Sequence, residues 1–327
     1  MTKKLYYFNS QYVANLSTLL FALLITINLS ASDWNLLWIT CPQADSVSQV
    51  QYRHTYVFDG CPETGKISIA SSGRHILFVN GYNVSVNVIE PGVSPVGNAV
   101  SMVTYDVTRY LKADSNIVAV WSSPVPPCRA GAKGMALAFY GLDAYGRRYS
   151  YRADDSWICR QSGSCTMPSG TEACDAQLAD VDWHSSDFKY PVWQGAEISG
   201  KVSSVDGIRQ RIPFYTVPLW HTVLRPVHIY GYKYFDVDGR HIVYRFPHTF
   251  NGWVRVTFRG MSSGAEVVAN GLRYRCNGDI DEQACRRFTT TWQNSADIML
   301  PPDASVDNIQ NVEGIEIAPC LYTGWKY

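Results

Sequence analysis

The stretch that most constrains the fold runs from residue 67 to residue 121, where β-prone runs alternate with turn signals. At its centre an apolar run, residues 75–79, meets Asn80-Gly81. Asn-Gly is the strongest short hairpin signal, because both residues tolerate a positive φ. We predict that Asp106 caps a short turn leading to Leu111, and that residues 116–121 form a buried strand. This order predicts the central piece of a jelly-roll β-sandwich.

Four short motifs follow one another in this part of the chain: LFVNG at 77–81, EPG at 90–92, TYDVTRYL at 104–111 and NIVAVW at 116–121. Their order resembles the N-terminal galactose-binding-like domain of bacterial α-L-rhamnosidases. The alternative is any other β-sandwich, since sandwiches of many kinds carry a VNG hairpin.

Further motifs continue the resemblance: DDSW at 154–157, EACDAQL at 172–178, and then Trp183, Asp187 and Trp193. The corresponding rhamnosidase segment carries DESW, GETYDARL and a W…D…W series. Two departures stand out, because Cys174 occupies the position of the family's tyrosine and Gln177 that of its arginine. The functions of that tyrosine and arginine are therefore in doubt here.

A second, sharper resemblance lies in FNGWVRVTFRG at 250–260. The β-sandwich that follows in the rhamnosidases carries YxxDFGQNxxGWVRLxVxG. This chain keeps the phenylalanine, the Gly-Trp-Val-Arg run and the closing glycine. It replaces the polar middle with Arg245, Pro247, His248 and Thr249.

The whole pattern predicts an all-β protein with two jelly-roll type β-sandwich domains after a signal peptide. No segment of 12 or more residues beyond the N-terminus shows sustained helical periodicity. We place the galactose-binding-like domain at 33–200 and the second sandwich, which resembles the rhamnosidase concanavalin-like domain, at 208–327, with a polar linker at 198–204. Pro226 indicates an edge strand or bulge, and Asp238-Gly239 indicates a hairpin turn.

Residues 1–31 have the pattern of a secretory signal peptide. Lys3 and Lys4 precede an apolar run at 16–29, and small residues follow. The run is too short and too interrupted for a comfortable membrane span. We expect cleavage after Ala31 or Ser32, no membrane span after cleavage, and a secreted or periplasmic protein.

Nine cysteines lie beyond the signal segment, and in an exported protein they predict a disulfide framework. The pairs closest in sequence fall within Cys159/Cys165/Cys174, Cys276/Cys285 and Cys41/Cys61. An odd count leaves at least one thiol free or paired between chains. Zinc is disfavoured, because there is no CxxC and the histidines lack ligand spacing.

The formal net charge is 0, which argues against a nucleic-acid partner. Aromatic residues make up 13% of the chain. They suit β-sandwiches and also sugar binding, because a ring packs on the C–H face of a pyranose. We predict that Trp121 and Trp253 belong to the core.

The residues favour no catalytic assignment. The rhamnosidase (α/α)₆ barrel would need several hundred further residues, and its acidic motif has no counterpart here. Residues 279–282 are expected to form a solvated acidic loop. Inverting glycosidases need two facing carboxyl groups, and no pair can be nominated. HExxH and Walker motifs are absent from the sequence.

We therefore favour a secreted carbohydrate-binding protein that recognises rhamnose-containing glycans and works in polysaccharide utilisation beside separate enzymes. The alternatives are a glycoside hydrolase and a structural protein linked through the odd cysteine. Galactose-binding-like sandwiches bind sugars in loops at one end, often beside Ca²⁺, which makes calcium a possible cofactor. The candidate ligand residues are acidic or tryptophan: Asp154, Asp155, Trp157, Glu172, Asp175, Asp180, Asp182 and Trp183.

Overall fold

The structure is a computed structural model that describes residues 36–85, 87–90, 101–124, 134–180, 182–185, 193–201, 209–211 and 221–322. The predicted signal peptide, Asp187 and Cys128 lie outside these residues. Within the described part the chain is almost entirely β, which confirms the predicted fold class. No helix in that part is long and apolar enough to cross a membrane.

The strands up to residue 201 are β1 Leu37–Thr40, β2 Ser48–Val57, β3 Thr64–Ser71, β4 Arg74–Val79, β5 Tyr82–Asn83, β6 Ser101–Asp106, β7 Ser115–Ser123, β8 Met135–Leu142, β9 Arg148–Arg152, β10 Ile158–Thr166, β11 Glu172–Asp175, β12 Gln194–Gly195 and β13 Glu197–Lys201. The later strands are β14 Arg209–Arg211, β15 His221–Gly231, β16 Tyr234–Asp238, β17 His241–Arg259, β18 Glu266–Ala269, β19 Leu272–Arg275, β20 Asp281–Cys285, β21 Thr291–Met299 and β22 Ile309–Tyr322. Short 3₁₀ turns occupy Thr108–Tyr110, Ala176–Leu178 and Val306–Asn308.

Two facing sheets form the first sandwich. The smaller sheet has the order β13-β1-β8-β3-β6-β14, with β9 beside β8, and the facing sheet contains β11-β10-β2-β7-β4-β5. Ile67 and Phe139 from the small sheet and Leu77 and Val120 from the large sheet are 0% exposed and belong to one core. Burial of this apolar surface is the main force that holds the sheets together.

The central hairpin forms as predicted. Asn80 and Gly81 have φ values of 51° and 88° and join β4 to β5. Positive φ at both positions is the type I′ geometry that suits the twist of paired strands. Asp106 accepts a hydrogen bond from the Thr108 N–H (3.0 Å) just before the 3₁₀ turn, but the N-cap position of that turn is held by Val107.

The second domain is built on the 19-residue strand β17. Its first half pairs with β16 and β21, and its second half pairs with β20 and β22. The register with β21 shifts between Arg245 and Phe250. The predicted edge position of Pro226 is confirmed, because β15 pairs with β22 and its register shifts beside that residue. The turn at Asp238-Gly239 also forms, with Gly239 at φ 59°.

One continuous sheet joins the two domains. β11 of the first sandwich runs parallel to β19 of the second, with Glu172 opposite Leu272 and Asp175 opposite Arg275. The linker prediction was wrong at its start, because residues 198–201 belong to β13 and pair with β1. Residues 209–211, which the sequence analysis placed in the second domain, pair in parallel with β6 of the first.

The acidic segment at 279–282 is not wholly a solvated loop. Glu282 lies on β20 and is only 4% exposed. Its carboxylate accepts hydrogen bonds from the backbone N–H groups of Asn277 (2.8 Å) and Gly278 (2.9 Å). These bonds compensate the cost of burying the carboxylate.

The pairs predicted from cysteine spacing are not bonded, and no disulfide joins the eight cysteines that the structure describes. In the ladder between β10 and β11, Cys165 lies opposite Ala173 while Cys174 lies opposite Ser164. Side chains alternate between the faces of a sheet, so Cys165 and Cys174 point in opposite directions. Cys41 is buried whereas Cys61 is exposed.

Candidate functional site

The outer face of the large sheet carries a row of side chains that crosses four strands. The strand registers place Ile76 opposite Trp121, Trp121 opposite Gln51, and Gln51 opposite Arg160. The neighbouring row contains Phe78, Ala119 and Arg53. Because strand residues alternate, these side chains face away from the core occupied by Leu77 and Val120.

A tryptophan from the segment at 182–185 covers this face. Trp183 is 2% exposed and packs with Ile117 and Ala119. Its ring lies 5.6 Å from Phe78 and 6.3 Å from Trp121, both edge-on, and 6.0 Å from Trp193 in a stacked arrangement. His184 stacks on Phe78 at 4.4 Å. We call these five rings the aromatic cluster: Phe78, Trp121, Trp183, His184 and Trp193.

One arginine contacts the covering segment, and a second contacts the residues just before it. Arg53 is 2% exposed and donates a hydrogen bond to the Trp183 carbonyl (2.7 Å). Arg160 donates to the Gln51 side chain (2.9 Å) and to the Leu178 carbonyl (2.8 Å), and it pairs with Asp180 at 2.7 Å. Its guanidinium lies 5.7 Å from the Trp193 ring centre. Burial lowers the pKa of Arg160, and the Asp180 charge partly offsets this shift.

Two residues of the second domain contact the aromatic cluster. The exposed Arg287 lies over the Trp121 ring at 4.6 Å, and Phe288 packs edge-on against the same ring at 6.0 Å. A cation over an indole face is stabilised by the ring quadrupole. The cluster therefore lies at the junction of the two domains and depends on their relative placement.

A buried carboxylate anchors the loop that carries Arg287. Glu172 is 5% exposed and accepts hydrogen bonds from the N–H groups of Phe288 (3.0 Å) and Thr289 (2.8 Å) and from the Thr289 hydroxyl (2.7 Å). The Arg287 N–H (3.1 Å) and the Gln49 amide (3.5 Å) approach its other oxygen. Backbone N–H groups that converge on a carboxylate bind it strongly. Glu172, predicted as a ligand residue, thus positions this loop.

The cluster has the chemical groups that a sugar site uses. Trp121, His184 and Trp193 are each half-buried, so part of each ring faces solvent. Asp182 is exposed, which leaves its carboxylate available to hydroxyl groups, whereas Asp180 Oδ2 is engaged by Arg160. Burial lowers the pKa of His184, which favours its neutral form. Rings with a few polar groups are typical of carbohydrate recognition.

Three predicted ligand residues lie at the turn between β9 and β10. Asp154 accepts hydrogen bonds from the N–H (3.0 Å) and hydroxyl of Ser156, and Asp155 is exposed. Trp157 is 0% exposed and contacts the rings of His54 and Tyr56. A fully buried ring offers no face to a ligand, and Trp157 belongs to the core of the first sandwich.

Asp175 forms an ion pair across the junction of the two domains. It accepts from the Gln177 N–H (3.0 Å) and pairs with Arg275 at 3.2 Å. Gln177, one of the two departures from the rhamnosidase pattern, donates to the Ser263 hydroxyl (2.8 Å) in the second domain. Cys174, the other departure, lies opposite Tyr274 of β19.

The structure thus brings Asp180, Asp182 and Trp183 to the aromatic cluster, and Trp183 forms its buried centre. The sequence analysis missed Trp121, His184, Trp193, Arg160 and Arg287. Alternation along β7 is the signal that places Trp121 outside the core, since its even-numbered neighbours Val118 and Val120 face inward. Trp253, also assigned to the core, is half-buried and donates to the Thr289 carbonyl (2.7 Å).

A calcium site finds no further support in the described ranges. No group of three or more His, Cys, Asp or Glu side chains there is arranged to hold a metal ion. Calcium therefore stays a sequence-based prediction.

These features define a class of protein, a tandem β-sandwich whose domains share one sheet and meet beside an aromatic surface. Comparison with known proteins narrows this class. Residues 61–124 match the model of the Alpha-L-rhamnosidase N-terminal domain. An alpha-L-rhamnosidase from Formosa agariphila is 22% identical over 202 residues, which cover 54% of this chain and 22% of that relative.

Solved structures show the same fold. An α-L-rhamnosidase from Dictyoglumus thermophilum superposes with a TM-score of 0.70 at 16% identity, covering 87% of this chain and 36% of that one. The Streptomyces avermitilis α-L-rhamnosidase, solved in complex with L-rhamnose, gives 0.64 at 16% identity and covers 83% and 28%. The chain therefore resembles the N-terminal part of α-L-rhamnosidases and spans about a third or less of their length.

Proposed function

We propose that this chain is a secreted or periplasmic carbohydrate-binding protein that recognises rhamnose-containing glycans. The observation that carries the proposal is the aromatic cluster at the domain junction, where Trp121 and Trp193 are half-buried beside Arg287 and Asp182. The likeness to α-L-rhamnosidases supports a glycan as the ligand class.

The physical reason lies in the structure of a neutral sugar. A pyranose presents an apolar C–H face, which packs on an indole ring, and hydroxyl groups, which pair with carboxylates and guanidinium groups. L-rhamnose adds a methyl group that favours an apolar wall. Trp121 and Trp193 of the aromatic cluster supply the rings, while the nearby Asp182 and Arg287 supply a carboxylate and a guanidinium group.

Titration calorimetry tests the proposal with the purified protein, L-rhamnose and rhamnose-rich polysaccharides, first with Ca²⁺ and then with EDTA. We expect heat of binding without release of reducing sugar. Trp193→Ala should weaken binding about tenfold, the equivalent of about 1.4 kcal/mol. Trp292→Ala is the matched control, because Trp292 is 75% exposed on β21 of the second domain.

Three other outcomes would count against the proposal. Release of sugar would favour the glycoside hydrolase alternative. Equal affinity of Trp193→Ala and the wild type would move the site away from the cluster. An absence of binding to every glycan would favour the alternative of a structural protein. Loss of binding in EDTA alone would support the calcium prediction.

A further inference from the structure

Cys41 and Cys159 meet inside the first sandwich although they lie far apart in sequence. Cys41 directly follows β1 of the small sheet, and Cys159 is the second residue of β10 in the large sheet. They are 2% and 0% exposed and belong to the same core. Their side chains are within hydrogen-bonding reach of one another.

The two sulfur atoms contact adjacent residues of the same strand, β12. Gln194 lies opposite Cys159 in the ladder between β10 and β12, and its side-chain amide donates to Cys41 Sγ at 3.2 Å. Cys159 Sγ lies 3.8 Å from the carbonyl of the next residue, Gly195. On the other side of β10, Tyr52 lies opposite Cys159 and is 1% exposed. The two sulfurs are thus enclosed by the same few residues.

We propose that Cys41 and Cys159 form a disulfide bond in the exported protein, joining the two sheets of the first sandwich. The oxidant is a disulfide, either oxidised glutathione or a disulfide-exchange protein. The Cys41 thiolate attacks one sulfur of the oxidant and releases the first thiol. The Cys159 thiolate then attacks the Cys41 sulfur of the mixed disulfide and releases the second. The two cysteine protons end on the two released thiols, and two electrons pass to the oxidant.

The contact between the two thiols shifts their pKa values in opposite directions. The hydrogen bond from the Cys159 thiol lowers the pKa of Cys41 to about 6, and the Gln194 amide adds to this effect. The same interaction raises the pKa of Cys159. A thiolate rather than a thiol carries out disulfide exchange.

Peptide mapping tests the bond directly. The full-length protein is refolded in a buffer of reduced and oxidised glutathione, its free thiols are alkylated, and it is digested with trypsin without reduction. We expect the peptide 153–160, ADDSWICR, to be linked to the peptide that ends at Arg53. Dithiothreitol should separate the two. If both peptides carry the alkyl label, or if either is linked to another cysteine, the proposal is wrong.

Variants provide a second, independent test. The exposed Cys61 is the matched control, so Cys61→Ala should keep the cross-link and Cys159→Ala should abolish it. Dithiothreitol should lower the thermal unfolding midpoint of the wild type and of Cys61→Ala. It should leave the midpoint of the Cys41→Ala/Cys159→Ala double variant unchanged. A wild-type midpoint that does not respond to the reductant would contradict the bond.

Discussion

The Glu172 carboxylate binds Thr289 twice, through the backbone N–H at 2.8 Å and the side-chain hydroxyl at 2.7 Å. Glu172 belongs to the first sandwich and Thr289 to the second, next to the parallel pairing of β11 with β19. The same carboxylate holds the Phe288 N–H, so it fixes the loop that places Arg287 over Trp121. This one side chain therefore couples domain packing to the candidate site.

Replacing Glu172 with glutamine should destabilise the protein. Glutamine has the same shape, but its NH₂ group would face N–H donors that now bind a carboxylate oxygen. Leaving buried groups of this kind unsatisfied costs about 3 kcal/mol. Urea unfolding followed by circular dichroism measures the loss of unfolding free energy. Glu266→Gln is the control, because Glu266 is exposed on β18. Equal unfolding midpoints for the two variants would show that the hydrogen bonds to the Glu172 carboxylate contribute little to stability.

Asn80 offers a way to separate backbone conformation from side-chain bonding. Its side-chain NH₂ group donates to the Tyr110 carbonyl (2.8 Å) and to Asn116 Oδ1 (2.9 Å). Its side-chain oxygen Oδ1 accepts from the Ile117 N–H (2.9 Å). Asn80→Gly should lose these bonds, about 2 kcal/mol of stability. Asn80→Ala should lose about 1 kcal/mol more, because alanine is strained at the observed φ of 51°. Urea unfolding midpoints give both values, and identical losses would show that φ at this position carries no cost.

The contrast between Asn80 and Glu172 shows how far the sequence can predict this structure. The Asn80-Gly81 turn was predicted because its physical cause lies within the two residues themselves. Glu172 was predicted as a ligand residue from its place in an acidic loop motif. Its role at the domain junction could not be predicted, because its principal donors lie 115 to 117 positions away along the chain. The approach of Cys41 to Cys159 depends in the same way on strand order and register. Local turn chemistry was therefore predictable, whereas the domain junction and most of the site were not.

His75 should make the protein less stable in mildly acidic solution. It is 1% exposed, and its ring nitrogens bond to the Ser71 hydroxyl (2.9 Å) and the Tyr105 hydroxyl (3.1 Å). Burial, with a smaller effect of the Arg74 charge, lowers the pKa of His75 from 6.5 to about 3. Between these two values the unfolded chain binds more protons than the folded protein, so the unfolding free energy falls as the pH falls.

The limiting slope from one such group is about 1.4 kcal/mol per pH unit. Unfolding free energies measured between pH 6.5 and pH 5 avoid most of the carboxylate titration. We expect His75→Gln to have a shallower slope than the wild type over this range. His228→Gln, at an exposed position on β15, should keep the wild-type slope. Parallel curves for the wild type and His75→Gln would show that His75 does not cause the loss of stability at lower pH.

Arg287 should contribute to glycan binding through its side chain. The Glu172 carboxylate holds its backbone N–H at 3.1 Å, so truncation of the side chain leaves the loop anchored. The guanidinium lies 4.6 Å from the Trp121 ring centre and can donate to sugar hydroxyl oxygens at the edge of that ring. We expect Arg287→Ala to weaken binding of rhamnose-rich polysaccharide about three- to tenfold, or about 0.6 to 1.4 kcal/mol.

Titration calorimetry measures this effect, with Arg245→Ala as the control at an exposed position of β17. Both variants lose one positive charge, so a general electrostatic effect would weaken binding to the same degree in each. A loss confined to Arg287→Ala assigns the contact to the cluster. Tighter binding by Arg287→Ala would instead mean that the guanidinium covers the Trp121 face and must move aside before a sugar can pack there.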